Sequence, residues 1–102
     1  MSAGDATINL TSHYTQQSTG QLQANTNLSL STTADITNQG QLLAGNILTL
    51  NAQNINNTVT SEISGSSTLI NATGSLTNRG LMDGSDTFIS ANTLNNIGTG
   101  NI

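Results

Sequence analysis

The feature that most constrains this chain is a period of about twenty residues. Written in rows of that length, the sequence places Leu10, Leu30, Leu50, Ile70 and Ile89 in one column, so one apolar position recurs almost from end to end. Two residues earlier stand Ile8, Leu28 and Leu48, replaced by Thr68 and Thr87 in later rows; two residues later stand Ala52, Ala72 and Ala91. Alternation at every second residue is the mark of a strand, whose side chains point to opposite faces in turn. Ile36, Ile55, Leu76 and Leu94 form a third column, and Leu22, Leu42, Ile63 and Met82 a fourth. Each row therefore predicts three short strands.

One row cannot bury its own apolar face, but stacked rows bury one another's. Stacking in register makes the strands parallel, with each turn rising about 4.8 Å. The expected fold is all-β, a parallel β-helix or solenoid of about five coils with three strands in each, right-handed by the general bias of parallel connections. Helix is excluded because the apolar residues do not recur at three and four, and Thr, Asn, Ser and Gly are poor helix formers. The predicted structural core is Leu10, Leu30, Leu50, Ile70 and Ile89 together with Ile36, Ile55, Leu76 and Leu94.

Turn residues punctuate the rows. Gly20, Gly40, Gly80 and Gly98 mark one corner, with Thr60 at the equivalent place in the middle row, and Asn25, Gly45, Gly65 and Gly84 mark a second. Gly and Asn tolerate positive φ, which sharp bends often require, so left-handed backbone is expected at these corners. Near the end of each row comes an Asn, at 38, 57, 78 and 96. An amide carries donors and an acceptor, and identical amides one turn apart can bond along the axis, which predicts a ladder of Asn38, Asn57, Asn78 and Asn96.

The run from Gly40 to Asn57, with Gly40-Gln41-Leu42-Leu43-Ala44-Gly45-Asn46 followed by Ile47-Leu48-Thr49-Leu50-Asn51-Ala52, resembles the haemagglutinin repeats of filamentous haemagglutinin and of the stick proteins of contact-dependent growth inhibition. Gly80 to Gly98 carries the same pattern, and weaker copies cover Gly20 to Gln39 and Ser61 to Arg79. The likeness divides the chain into an irregular first coil, residues 1–19, that departs from it around His13-Tyr14-Thr15-Gln16-Gln17, and repeats over residues 20–102. What the resemblance implies is the right-handed β-helical shaft of a large exoprotein exported by two-partner secretion through an outer-membrane pore, placed at the bacterial cell surface and associated with virulence. The implied neighbours are adjacent coils of the parent, and a target-cell receptor or host surface would be met by other regions. The family's secretion domain carries Asn-Pro motifs and this chain has no Pro, so it resembles shaft and not export signal.

Composition narrows the remaining classes. With Arg79 as the only Arg or Lys, the main electrostatic term for phosphate binding is missing, so no nucleic-acid partner is expected. The opening Met1-Ser2-Ala3-Gly4-Asp5 lacks the basic and apolar regions of a signal peptide, and an internal piece of an exported parent is expected. Lacking Cys, the chain has neither a disulfide framework nor a thiolate metal site, and no cofactor or metal is expected. Asp83 and Asp86 are the one close carboxylate pair, better read as a solvated turn at Gly84 than as acid and base. His13 lacks a second ligand at metal spacing and reads as an edge residue of the first row. Catalysis is therefore not expected. Tyr14 and Phe88 are the two rings on which a sugar could stack, which keeps open a carbohydrate- or host-binding face on the same rod. Open strand edges at the two ends favour pairing, and end-to-end self-association is expected of an isolated piece.

Overall fold

The computed structural model describes residues 2–3, 5–18, 20–59 and 61–96. Among them thirteen strands follow one another: β1 (Ser2–Ala3), β2 (Ala6–Leu10), β3 (Tyr14–Gln16), β4 (Gln21–Ala24), β5 (Leu28–Thr32), β6 (Asp35–Asn38), β7 (Gln41–Ala44), β8 (Ile47–Ala52), β9 (Asn54–Asn57), β10 (Glu62–Ser64), β11 (Ser67–Asn78), β12 (Leu81–Asp83) and β13 (Asp86–Asn96). No helix occurs among the described residues. Strands pair with their counterparts one row on, always in parallel, and not with their neighbours in sequence. One sheet has the order β1-β4-β7-β10-β12; the other runs β2-β5-β8-β11-β9-β6-β3, with β13 on β11. The result is a parallel β-solenoid of about four turns, made of five stacked rungs.

Register shows why these residues form this core. Leu28 lies on Leu48 and Leu30 on Leu50, and Thr68 and Ile70 continue those two columns. In the smaller sheet Leu22, Leu42, Ile63 and Met82 stack in turn, and Ile36, Ile55 and Leu76 stack on the third side. All of these are buried. The inward Thr68, which takes a leucine's place, donates its hydroxyl to the Asp83 carbonyl at 2.7 Å, so the polar atom is satisfied where it is buried.

The first row departs from the period. Ile8, and not Leu10, lies beside Leu30, while Leu10 lies beside Thr32. The step from Ala6 to Leu28 is 22 residues, because the first rung has a longer corner, closed by the Gly20 amide on the Gln17 carbonyl at 2.9 Å. The third rung has the same longer corner, closed by Ser61 N on Thr58 O at 3.1 Å. Stacking bonds then run from Gln41 to Gly20, from Glu62 to Gly40 and from Leu81 to Ser61. Ser61 thus takes the glycine column in the middle row; Thr60, like Gly98, lies outside the described residues.

Three strands per rung hold for the first three rungs only. In the fourth and fifth, the second and third strands fuse into β11, of 12 residues, and β13, of 11. The register between them shifts between Ala72 and Ser75, where Gly74 adds a residue to the corner, as at a bulge. Leu94 is 50% exposed and Ile89 only partly buried, since among the described residues no rung lies beyond β13 to cover them.

The glycines also differ from expectation. None of the seven described, at 20, 40, 45, 65, 74, 80 and 84, has positive φ. Crowding selects them instead. A Cβ on Gly40 would meet the Gln17 and Gly20 carbonyl oxygens at 2.2 and 2.4 Å, and one on Gly45 would meet the Asn25 oxygen at 2.1 Å. The backbones of successive rungs approach here too closely for any side chain.

Leu50→Ala is expected to cost about 2 to 5 kcal/mol, and Gly40→Ala about 1 to 3 kcal/mol through overpacking. Leu94→Ala should cost under about 1 kcal/mol because its side chain is already half in water. Urea unfolding followed by circular dichroism ranks the three, and equal losses at Leu50 and Leu94 would contradict the stacking described.

Candidate functional site

The most organised polar feature lies inside the solenoid. At the inner end of the third strand, Asn38, Asn57, Asn78 and Asn96 stand one above another. The first three are completely buried. Asn38 donates from Nδ2 to Asn57 Oδ1 at 2.9 Å, Asn57 to Asn78 Oδ1 at 2.8 Å, and Asn78 to Asn96 Oδ1 at 3.1 Å. The second amide hydrogen is used as well: Asn38 donates to the Glu62 carbonyl at 2.9 Å and Asn57 to the Leu81 carbonyl at 3.0 Å.

The amide oxygens also accept from the corner that follows. Gly40 N donates to Asn38 Oδ1 at 3.2 Å and Gly80 N to Asn78 Oδ1 at 3.1 Å. In the middle row the Ser61 hydroxyl, buried, reaches Asn57 Oδ1 at 2.6 Å instead. A side-chain donor thus replaces a backbone one. Pairing the Asn with the corner after it fixes the turn to the core, and the buried amides of Asn38, Asn57 and Asn78 are satisfied where an orphan would be costly, whereas the neighbouring Asn56 Oδ1 is buried without a partner.

Position 16 heads this column with Gln in place of Asn, paired with Asn38. It is buried, and its amide oxygen accepts the Tyr14 hydroxyl. Tyr14 occupies the Ile36 column and is partly buried, which raises the phenol's pKa by desolvation. The aromatic pair considered for sugar stacking is therefore divided: Tyr14 serves the interior of the first rung, while Phe88 is 64% exposed on the outer face of the fifth. Beside Phe88 lies Leu69, and with Thr49, Asn51, Asn71 and Ser90 they line a shallow groove of about 420 Å³.

A second polar column follows the corner between the second and third strands. His13 Nδ1 lies 3.5 Å from Asp35 Oδ2, Asn54 Nδ2 donates to Asp35 Oδ1 at 3.0 Å, and Asn54 Oδ1 accepts from the Ser75 amide and hydroxyl at 2.9 and 3.1 Å. His13 is exposed, and sequence reading missed the column because its members differ in type from row to row. Asp83 and Asp86 are both exposed on either side of Gly84, and Asp83 Oδ1 accepts from the Gly84 amide at 2.9 Å. Among the described residues no three of His, Cys, Asp and Glu gather to hold a metal ion. At the first rung the Asp5 carboxyl is held below its ordinary value, chiefly by the Thr26 hydroxyl and next by the Asn27 amide.

These features define a class: a parallel β-solenoid module whose organised chemistry is structural and internal. A family model for the haemagglutinin repeat matches residues 2–80, and the chain belongs to that family. The match takes in the first coil and ends at Gly80, before β12 and β13. No curated protein and no solved structure matches the chain. Haemagglutinin repeats are structural, non-enzymatic elements of secreted surface exoproteins, and at that level the chain is a structural segment of a secreted, adhesin-like protein.

Asn57→Ala should cost roughly 3 kcal/mol or more, since it removes one partner each from Asn38 Nδ2, Asn78 Oδ1, the Ser61 hydroxyl and the Leu81 carbonyl. Asn96→Ala, exposed, should cost under about 1 kcal/mol. Thermal unfolding of both variants checks the difference, and parity between them would remove the energetic role of the ladder. Because the Asp5 value is lowered on folding, the stability it confers is present above the ordinary carboxylate range and lost as pH falls through the folded value. An NMR titration should find the Asp5 midpoint moved upward by Thr26→Val; an unmoved midpoint would sink the assignment.

Proposed function

We propose that this chain is a length of shaft in a large bacterial exoprotein, a spacer that carries an adhesin or growth-inhibition tip away from the cell surface. The observation that carries the reading is the continuity of the inner columns: the same positions stack from rung to rung, so rod length depends on rung number and on nothing else. Adjacent coils of the parent continue the stack at the ends. The parent is exported by two-partner secretion through an outer-membrane pore, and receptors are met by other regions. A chain without Cys suits that route, because it threads unfolded and then gains its core one rung at a time outside.

The exposed Leu69 and Phe88 groove favours a second reading, an adhesive face for carbohydrate or a host surface on the same rod. The two readings separate in the parent exoprotein. Deleting residues 41–80 removes two rungs in register and joins Gly40 to Leu81, so a spacer should still be exported with full tip activity and a reach shorter by about 10 Å. Export with lost target binding would overturn the spacer reading. Phe88→Ala distinguishes further: an adhesive face loses glycan-array or cell binding without loss of fold, whereas a spacer shows no saturable binding to lose.

A further inference from the structure

Of the four Asp and 15 Asn in the chain, Asp83 alone is followed by glycine. The pair stands at the corner between β12 and β13, where Asp83 is exposed. The Gly84 amide points to the carboxylate of its own neighbour, N to Asp83 Oδ1 at 2.9 Å. Two other corner amides are committed to the preceding rung: Gly45 N donates to the Ala24 carbonyl at 3.0 Å and Ser85 N to the Ser66 carbonyl at 2.8 Å. A nitrogen held against a carboxyl group is close to a near-attack arrangement, in which reacting atoms stand about 3 to 3.5 Å apart, and glycine has no Cβ to shield it. The other three Asp are placed differently. Ala6 N, after Asp5, donates to the Asn27 carbonyl at 2.9 Å. Ile36 and Thr87, after Asp35 and Asp86, lie in paired strands and carry a branched Cβ beside the nitrogen.

The same corner is tied to the interior. The Asp83 carbonyl accepts from Thr68 Oγ1 at 2.7 Å and from Gly65 N at 3.3 Å, and Thr68 is fully buried in a column that Leu28 and Leu48 otherwise hold. Bringing Gly84 N onto the Asp83 side chain turns the peptide unit that joins the two residues. That unit contains the carbonyl that Thr68 holds, so the buried hydroxyl restrains the approach.

We propose that Asp83–Gly84 is a self-modifying bond: the Gly84 nitrogen adds to the Asp83 side chain and closes a succinimide, and Thr68 sets how fast. In this step a bond forms between Gly84 N and Cγ of the protonated carboxyl. The amide proton and the carboxyl hydroxyl leave together as water, and nothing is oxidised or reduced. A second water opens the ring. Addition at Cγ breaks the new bond and returns Asp; addition at the main-chain carbonyl carbon breaks the old one and leaves isoaspartate. The chain then runs through the former side chain, and the carbonyl that Thr68 held belongs to a free carboxylate. Net charge is unchanged, but the corner gains one backbone atom. That atom works against the register that sets Asp83 beside Ser64 and Asp86 beside Ser67.

The folded chain, held for weeks in mildly acid buffer, provides the test. Isoaspartate is labelled with an isoaspartyl methyltransferase and located by peptide mass spectrometry, which also sees the succinimide as the loss of a water. Label should accumulate at residue 83 at least about tenfold faster than at Asp5, Asp35 or Asp86, a small part of what orientation can contribute. Asp83→Glu, whose ring would need a sixth member, should lose the label while its circular dichroism stays unchanged. Asp83→Asn should release ammonia through the same ring, a readout independent of the enzyme. Thr68→Val should speed labelling roughly two- to twelvefold, the population factor of one hydrogen bond, and Thr68→Ser, which keeps the hydroxyl, should leave the rate where it is. Label spread evenly over the four Asp, or an Asp83→Asn chain that keeps its ammonia, would overturn the site. A rate unmoved by Thr68→Val, or raised as much by Thr68→Ser, would overturn the restraint. Should Thr68→Val fail to fold, Thr68→Leu, the residue of the two preceding rungs, takes its place with the same expected rise.

Discussion

Parallel pairing of each strand with its counterpart one row later is the interaction on which everything else depends. A strand has no partner within its own rung, so its backbone amides and carbonyls are satisfied chiefly by the rungs on either side. That pairing turns sequence positions into columns. Once Leu48 must lie between Leu28 and Thr68, whatever stands at those positions shares one stripe of the interior, and its neighbours in that stripe decide whether it fits. Crowding at the corners follows from the same constraint, since turns stacked at rung spacing leave no room for a Cβ at Gly40 or Gly45. Glycine is needed there for closeness and not for a left-handed backbone.

The buried amides show how a polar residue can live in such a stripe. An isolated buried Asn would be a liability. Repeated in one column, each amide supplies the next with what it lacks, and the corner behind it supplies the rest. Direction matters here: the donors of Asn38, Asn57 and Asn78 all point toward the C-terminal end, so the ladder is polar even though every member is neutral. It also resists slippage, because a shift of one residue would carry Asn57 out of the column and bring Asn56 or Thr58 inward. The leucine columns alone would punish such a slip by exposure; the ladder punishes it by orphaned amides as well.

Much of this is legible in the sequence, and the exceptions are instructive. The Leu28–Leu48 and Leu30–Leu50 columns can be read because stacking makes their spacing equal to the rung length, and the interior tolerates few residue types. Row one misleads because Ile8 and Leu10 are both apolar and both inward, two residues apart, so a frame shifted by two looks equally good. Only the longer corner of the first rung decides it, and corner length leaves no hydrophobic trace. Ser61 was hidden for a related reason: nothing in its type says that a hydroxyl will stand in for a glycine amide. The fused β11 and β13 depend on how a one-residue insertion at Gly74 is absorbed, a choice made by the stacked rung and not by local propensity.

The outer face obeys different rules, and that difference bears on function. Along the outward column the residues are Thr7, Ser29, Thr49, Leu69 and Phe88, passing from polar to apolar, while the inward columns beside it keep one character for most of their length. Stacking polices only what it encloses. An inward substitution must satisfy the rungs on both sides, whereas an outward one meets mainly solvent and can vary without disturbing the rod. A solenoid of this kind therefore separates its two tasks in space: length and stiffness are set by inner columns that barely change, and any recognition must be written on outer columns free to differ from rung to rung. The Leu69 and Phe88 groove is where this chain departs furthest from a plain polar surface, which makes it the place where a spacer could acquire a face.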